Sequence, residues 1–210
     1  TERLQPGVRR YDYARTEGDF HAENIRIGGG RIVFDLVSPL GNISDIELGV
    51  PVSINIDNGI AACALAQIAG ASAEEIREGM RTYAGVDRRF DFKIKNDRCV
   101  LLSDYAHHPA EIKQSILSLR EVFDGRKISA IFQPHLYTRT RDFYGDFAEA
   151  LSLLDEVILL DIYPARELPI EGVTSQLIYD RLRPDMQRRM AHLQDLPKIA
   201  EEEDFDVLVV

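Results

Sequence analysis

Three short stretches concentrate the side chains able to do chemistry. The first, DYAHHPAEI at residues 104–112, places an acid, a phenol and two adjacent imidazoles before a proline. Asp104 in such a place can accept hydrogen bonds from a ribose, and Tyr105 with His107 can line a small polar pocket. His107 and His108 can equally be capping or solvated groups. The second, QPHLYTRTRDF at 133–143, carries His135, Arg139 and Arg141. Guanidinium forks match carboxylates and phosphates in two parallel bonds, so this is either an anion clamp or a solvated loop whose arginines pair with surface acids. The third, DIYPARELP at 161–169, holds Arg166 and Glu167, which read as an intrachain ion pair. A metal hydrolase is the competing chemistry, with His107, His108 and His135 joined by Asp104 or Asp161. Adjacent histidines in one loop rarely face one ion, and no HExxH spacing sets two imidazoles on one helical face, so the expectation is no metal.

The elements that must carry these residues follow from periodicity. Up to about residue 83, short apolar runs at Ile25 to Ile27, Arg31 to Val37 and Ile43 to Leu48 are separated by Gly28-Gly29-Gly30 and Pro39-Leu40-Gly41, and read as strands. Asn58 then reads as the N-cap of an Ala-rich helix through Ala69, and Ser72 with Glu75 as a capping box for another. From about residue 90, apolar runs alternate with amphipathic segments. VLLSD is followed by a helix bearing Ile112, Ile116, Leu119 and Phe123, then ISAIFQP, a helix from about Phe143 to Leu153, and VILLDIY. A helix after Ser175, an acidic one near residues 195 to 203 and the strand FDVLVV continue the series. Alternation of this kind marks an α/β protein with a mostly parallel sheet covered on both faces. Ligands of such sheets bind beyond the carboxyl ends of strands, where the three stretches fall. Pro109 suits the first position of the helix it opens, and Glu111 its first turn.

Composition narrows the function. The 210 residues carry a formal charge of −10, which argues against nucleic-acid binding while leaving room for a small anion held by single arginines. No apolar run of membrane length and no secretory leader is visible. Cys63 and Cys99 are far apart and form no CxxC, which points to a reducing compartment, the cytoplasm. The start without methionine and the end on DFDVLVV read as cut from a longer protein. There is no GxxxxGK[ST], and IGGGRI stands between strands without opening a helix, so it is a poor phosphate cradle.

GVDRRFDF, SDYAHHPAEI, FQPHLYTRTRDF and DIYPARELPIEGV, in this order and spacing, resemble the C-terminal domain of the Mur ligases. The likeness is to the branch that joins L-alanine to UDP-N-acetylmuramate. DFHAENI and INIDNGIAACALAQIAG resemble the end of that family's central ATPase domain, so the likeness covers essentially the whole chain. It implies residues 1–84 as the C-terminal part of the central ATP-binding domain and residues 85–210 as a Rossmann-like C-terminal domain. The P-loop and the magnesium ligands are then expected in the missing part.

Carried over by position, the resemblance puts Asn55 and Asn58 near the adenine, Arg89 at the ATP phosphates and Asp104 on the ribose. Tyr105, His107 and Arg139 fall around the incoming L-alanine, with Arg89 and His107 as the catalytic pair. Implied ligands are ATP with magnesium, UDP-N-acetylmuramate and L-alanine, with no nucleic acid or membrane; the oligomeric state stays open. The family reads Gly-x-His-Asn where this chain has Val52-Ser53-Ile54-Asn55, an aspartate where Ser103 stands, and often an arginine at Leu136, which leaves Arg139 with less help on the alanine carboxylate. The related murein-peptide ligases, which join a tripeptide, and a stand-alone metal phosphoesterase are the alternatives.

Overall fold

The computed structural model describes residues 7–210; the opening TERLQP, part of the stretch read as a cut start, lies outside the described residues. The chain divides into two compact units, Thr1–Ala84 and Gly85–Val210. No helix among the described residues is long and apolar enough to cross a membrane.

In the first unit β1 (His21–Gly28), β2 (Arg31–Val37) and β3 (Ile43–Glu47) form an antiparallel sheet in that order. Gly29 and Gly30 make the first turn with φ of 58° and 74°, the left-handed backbone that a two-residue hairpin needs. The Gly-rich run is therefore a turn between strands. β2 alternates, burying Ile32, Phe34 and Leu36 on one face.

Helix α1 (Ile54–Ile68) starts a full turn before the Asn58 cap expected from sequence, with Ser53 at the cap position. The β-branched run Val52, Ile54, Ile56 hides this start, but Ile56 and Ile60 are buried at helical spacing. Arg15 adds a tertiary tie, donating to the Ser53 carbonyl at 2.7 Å and to the Asp57 carboxylate. Gly59 stands where α1 passes its neighbours: a Cβ there would lie 3.0 Å from Met80 Cε and 3.1 Å from Leu48 Cδ2. Helix α2 (Ala73–Thr82) opens with the expected capping box of Ser72 and Glu75.

The second unit is built on a six-stranded sheet. In chain order it contains β4 (Asp91–Lys95), β5 (Val100–Ser103), α3 (Pro109–Val122), β6 (Ile128–Phe132), α4 (Tyr137–Leu151), β7 (Glu156–Leu160), the short α5 (Gln176–Tyr179), β8 (Gln187–Ala191), α6 (Leu196–Glu202) and β9 (Val207–Val209). The strand order is β4-β5-β9-β6-β7-β8, with only β4 antiparallel to its neighbour. β9, last in the chain, slots between β5 and β6, and Val207 pairs with both Val100 and Ile128. A strand with partners on both sides needs apolar residues on both faces, which accounts for the VLV run. Parallel pairing brings the carboxyl ends of β5, β6, β7 and β8 to one edge, where Asp104, Gln133, Asp161 and His192 follow directly.

β4 and β8 are strands the sequence pattern does not announce, because DFKIK and QRRMA carry charges where alternation should show. The larger correction concerns α4, which begins at Tyr137 rather than near Phe143. Its start is stabilised from another loop, as described below.

Leu119 on α3 is fully buried in this unit. Leu119→Ala should cost about 2–5 kcal/mol, the usual range for a truncated core leucine. A urea denaturation series that returned less than about 1 kcal/mol would show that α3 does not seal this core.

Candidate functional site

The polar edge of the second unit is assembled from four loops. After β5 the chain runs through Asp104, Tyr105 and His107 into α3. Asp104 is anchored by its N–H, which donates to the Val210 carbonyl at 2.9 Å, and its carboxylate accepts from the Ser115 hydroxyl at 2.5 Å. Tyr105 is exposed and meets His107 edge to face, with ring centres 5.2 Å apart. His107 turns its Nδ1 to the Tyr105 carbonyl at 2.9 Å.

His108 is the N-cap of α3, and its ring accepts from the Ala110 N–H at 3.4 Å. Glu111 accepts from the N–H groups of both His107 and His108 at 3.1 Å. Of the pair, then, His108 caps the helix, while the His107 ring lies between the Tyr105 carbonyl and, at 3.5 Å, the Glu111 carboxylate. Those two N–H donors, first that of His107, outweigh burial and hold the Glu111 carboxyl below its ordinary range.

The second loop carries His135, Leu136 and the first turn of α4 with Arg139. The Arg139 guanidinium makes a long 3.5 Å contact with the His107 carbonyl, so Tyr105, His107 and Arg139 come together at the ends of β5 and β6. Among the described residues Arg139 has no carboxylate partner; Arg141 instead pairs with Asp142 at 2.8 Å. Partial burial, then the charges of Arg139 and His107, push the His135 imidazole below its ordinary pKa and favour its neutral form.

The third loop follows β7. His135 stacks on Tyr163, with ring centres 5.5 Å apart. The Tyr163 N–H donates to the Pro134 carbonyl at 2.8 Å, and the Leu136 N–H to the Tyr163 carbonyl at 3.0 Å. Glu167 reaches across to α4, accepting from the Thr138 N–H at 2.9 Å and its hydroxyl at 2.5 Å. This corrects the ion pair read from Arg166 and Glu167: the carboxylate is taken by Thr138, and Arg166 forms no ion pair among the described residues. The Thr138 hydroxyl, then its N–H, draw the Glu167 carboxyl below the glutamate range.

The fourth group is Arg89, two residues ahead of β4. Because β4 runs antiparallel to β5, with Asp91 opposite Ser103, Arg89 falls at the same edge as Asp104. It is flanked by Arg88 and Phe90, both non-glycine residues at positive φ of 62° and 46°. Backbone of this kind persists only where its surroundings impose it, and functional loops are where it clusters. Among the described residues the Arg89 side chain also lacks an acidic partner.

Asn55 and Asn58 belong to the first unit, in the first two turns of α1. The Asn55 side chain donates to the Val50 carbonyl at 3.1 Å, and Asn58 to the Asn55 side-chain oxygen at 3.2 Å.

Among the described residues no three His, Cys, Asp or Glu side chains are grouped to hold a metal ion. Asp161, one of the ligands the phosphoesterase reading would use, meets His192 Nδ1 at 2.5 Å. That bond draws the His192 pKa upward. His192 is the member of this edge that sequence reading missed, and Glu167, read there as the partner of Arg166, is bound to Thr138. Both act over some thirty residues of chain, and no local pattern marks such pairings.

The Glu111 cap gives a pH test with a definite sign. A carboxyl whose folded pKa is depressed contributes stability that is complete above its unfolded value, near the ordinary 4.5, and that is lost as pH falls through the folded value. Glu111→Ala should therefore lower the urea midpoint at neutral pH, and the gap from wild type should narrow in acid. A gap that stays constant down through the glutamate range would mean that the charge of Glu111 does not act as a cap.

The family described as "Mur ligase, glutamate ligase domain" matches residues 88–208. The UDP-N-acetylmuramate–L-alanine ligase of Phocaeicola vulgatus is 66% identical over 206 residues, 98% of this chain and 45% of that protein. The enzyme of the same name from Parabacteroides distasonis is 62% identical over 183 residues, covering 87% of this chain and 40% of its own length. Among solved structures, the crystal structure of the UDP-N-acetylmuramate-alanine ligase of Thermotoga maritima superposes with a TM-score of 0.73 at 25% identity, over 94% of this chain and 43% of that one. The chain thus spans a little under half the length of the curated relatives it matches.

Proposed function

The chain belongs to the Mur ligase family, and on that premise we propose that it is the amino-acid and nucleotide side of an ATP-dependent ligase joining L-alanine to UDP-N-acetylmuramate in peptidoglycan synthesis. In that reaction the sugar carboxylate is phosphorylated by ATP, the alanine amine attacks the acyl carbon, and phosphate leaves as the amine gives up a proton. Positioning and charge stabilisation are what a protein adds to such chemistry.

The observation that carries the reading is the meeting of Tyr105 and His107 with Arg139, a guanidinium with no acid of its own among the described residues. A free α-carboxylate is the complement of such a group. Arg139 holds the alanine carboxylate, while Tyr105 and His107 wall the pocket around its amine and methyl. Asp104 takes the ribose, Arg89 the ATP phosphates, and Asn55 with Asn58 the adenine. Arg89 and His107 are the groups nearest the reacting atoms.

Residues 1–84 are read as the end of the central ATP-binding domain and residues 85–210 as the C-terminal domain. Among the described residues no three His, Cys, Asp or Glu side chains are grouped to hold a metal ion. Magnesium and the phosphate cradle belong to the part of the relatives' length that this chain does not span. A cytoplasmic setting goes with substrates of this kind and with the free thiols of Cys63 and Cys99.

In the complete enzyme, Arg139→Ala should raise KM for L-alanine at least tenfold. Removing one member of a charged pair in a closed site costs about 2–5 kcal/mol, and tenfold corresponds to about 1.4 kcal/mol. KM for ATP should move far less. Arg89→Ala should reverse the pattern. Steady-state kinetics with each substrate varied in turn is the measurement. Equal effects of both substitutions on both constants would overturn the assignment of separate roles, and a tripeptide used in preference to L-alanine would overturn the assigned substrate.

A further inference from the structure

Helix α4 begins without a cap of its own. Leu136, at the N-cap position, has no side-chain acceptor to offer, and its φ of 77° and ψ of 134° lie outside the regions that L-residues favour. Such a conformation needs support from around it. The loop after β7 provides it: Tyr163 is bonded on both sides, to Pro134 and to Leu136, and Glu167 receives both donors of Thr138. Two residues further on, Thr140 is fully buried and returns both its N–H and its hydroxyl to the Leu136 carbonyl, at 3.1 and 2.9 Å. Arg139 lies between these two fixed threonines.

We propose that Glu167 is a positioning residue of the amino-acid site: by fixing Thr138 it sets the first turn of α4, and so the Arg139 guanidinium that receives the alanine carboxylate. This rests on the reading of Arg139 given above. Glu167 does so without opposing the substrate. One of its oxygens accepts the Thr138 N–H and the other the Thr138 hydroxyl, so its charge is directed into the helix N-terminus, where an anion is favoured. An acid left free beside Arg139 would instead compete for the guanidinium.

The test is a double-mutant cycle in the complete enzyme, comparing wild type, Glu167→Gln, Arg139→Ala and the double variant, with thermal unfolding midpoints measured alongside. Glutamine keeps the size and one acceptor but loses the second acceptor and the charge. Glu167→Gln should raise KM for L-alanine about fivefold or more, the scale of coupling within one hydrogen-bonded network, while kcat and KM for ATP change less than about twofold. In the Arg139→Ala background the same substitution should add nothing, because its effect passes through Arg139.

Thr138→Val, which removes the hydroxyl and keeps the N–H, should shift alanine KM in the same direction, and it serves as the test if Glu167→Gln lowers the folded fraction. An unchanged alanine KM in both variants while Arg139→Ala raises it would overturn the role of Glu167 and leave that of Arg139 intact. Full additivity in the double variant would show that Glu167 acts on its own and would equally overturn it. If Arg139→Ala itself left alanine KM unchanged, the reading of the pocket would fail, and this inference with it.

Discussion

The hydrogen bonds that Glu167 accepts from Thr138 are the constraint on which the polar edge depends. β6 and β7 are neighbouring parallel strands, with Phe132 opposite Leu159, so the loops that leave them must run side by side. The β6 loop enters a helix with no local cap, through a leucine in a disfavoured conformation. The β7 loop supplies the missing acceptor, the backbone bonds of Tyr163 and a ring for His135 to stack on. The N–H groups of Leu136, Thr138 and Tyr163 find their acceptors across the two loops. Because buried or half-buried polar groups are costly when left unpaired, this mutual arrangement is a stiff one.

The chain carries ten more acidic than basic charges, and many of its arginines are paired: Arg15 with Asp57, Arg120 with Asp155, Arg126 with Asp206, Arg189 with Glu203. Arg139 and Arg89 have no acid among the described residues, as is also true of Arg166 and of Arg188, which donates to the Tyr179 and Leu182 carbonyls. A positive group in an acid-rich protein keeps its local attraction for an anion, since fields from distant charges fade over about 8 Å at physiological salt. After partial burial, the charges of Arg139 and His107 lower the His135 pKa. Asp104 is held differently, by a main-chain bond to Val210 and by the Ser115 hydroxyl.

Much of the framework could be read from residue patterns, and the exceptions share a cause. Pro109 at the start of α3, the Ser72 capping box and the apolar runs of β5, β6, β7 and β9 are local signals, and they fall where the sequence places them. The misplaced helix starts are those stabilised from afar. α1 begins before Asn58 because Arg15, some forty residues earlier, ties Asp57 and Ser53, and α4 begins before Phe143 because Glu167 caps it from the next loop. β4 and β8 escaped notice because edge strands tolerate charged side chains and lose the alternation that marks a strand. The residues that make up the site were legible as types in short motifs. The partners that orient them, Thr138 for Glu167 and Tyr163 for His135, were not, since pairing across parallel strand ends leaves no trace in spacing.

If two loops hold one another as described, the amides at the start of α4 are not those of a fraying helix end. Backbone hydrogen exchange resolved at Leu136, Thr138 and Thr140 in the complete protein tests this most directly. Their N–H groups donate to Tyr163, Glu167 and Leu136, and slow exchange is expected at all three, comparable to the middle of α4. Exchange at Thr138 as fast as in an unstructured peptide would contradict the account, since the first turn carrying Arg139 would then open freely.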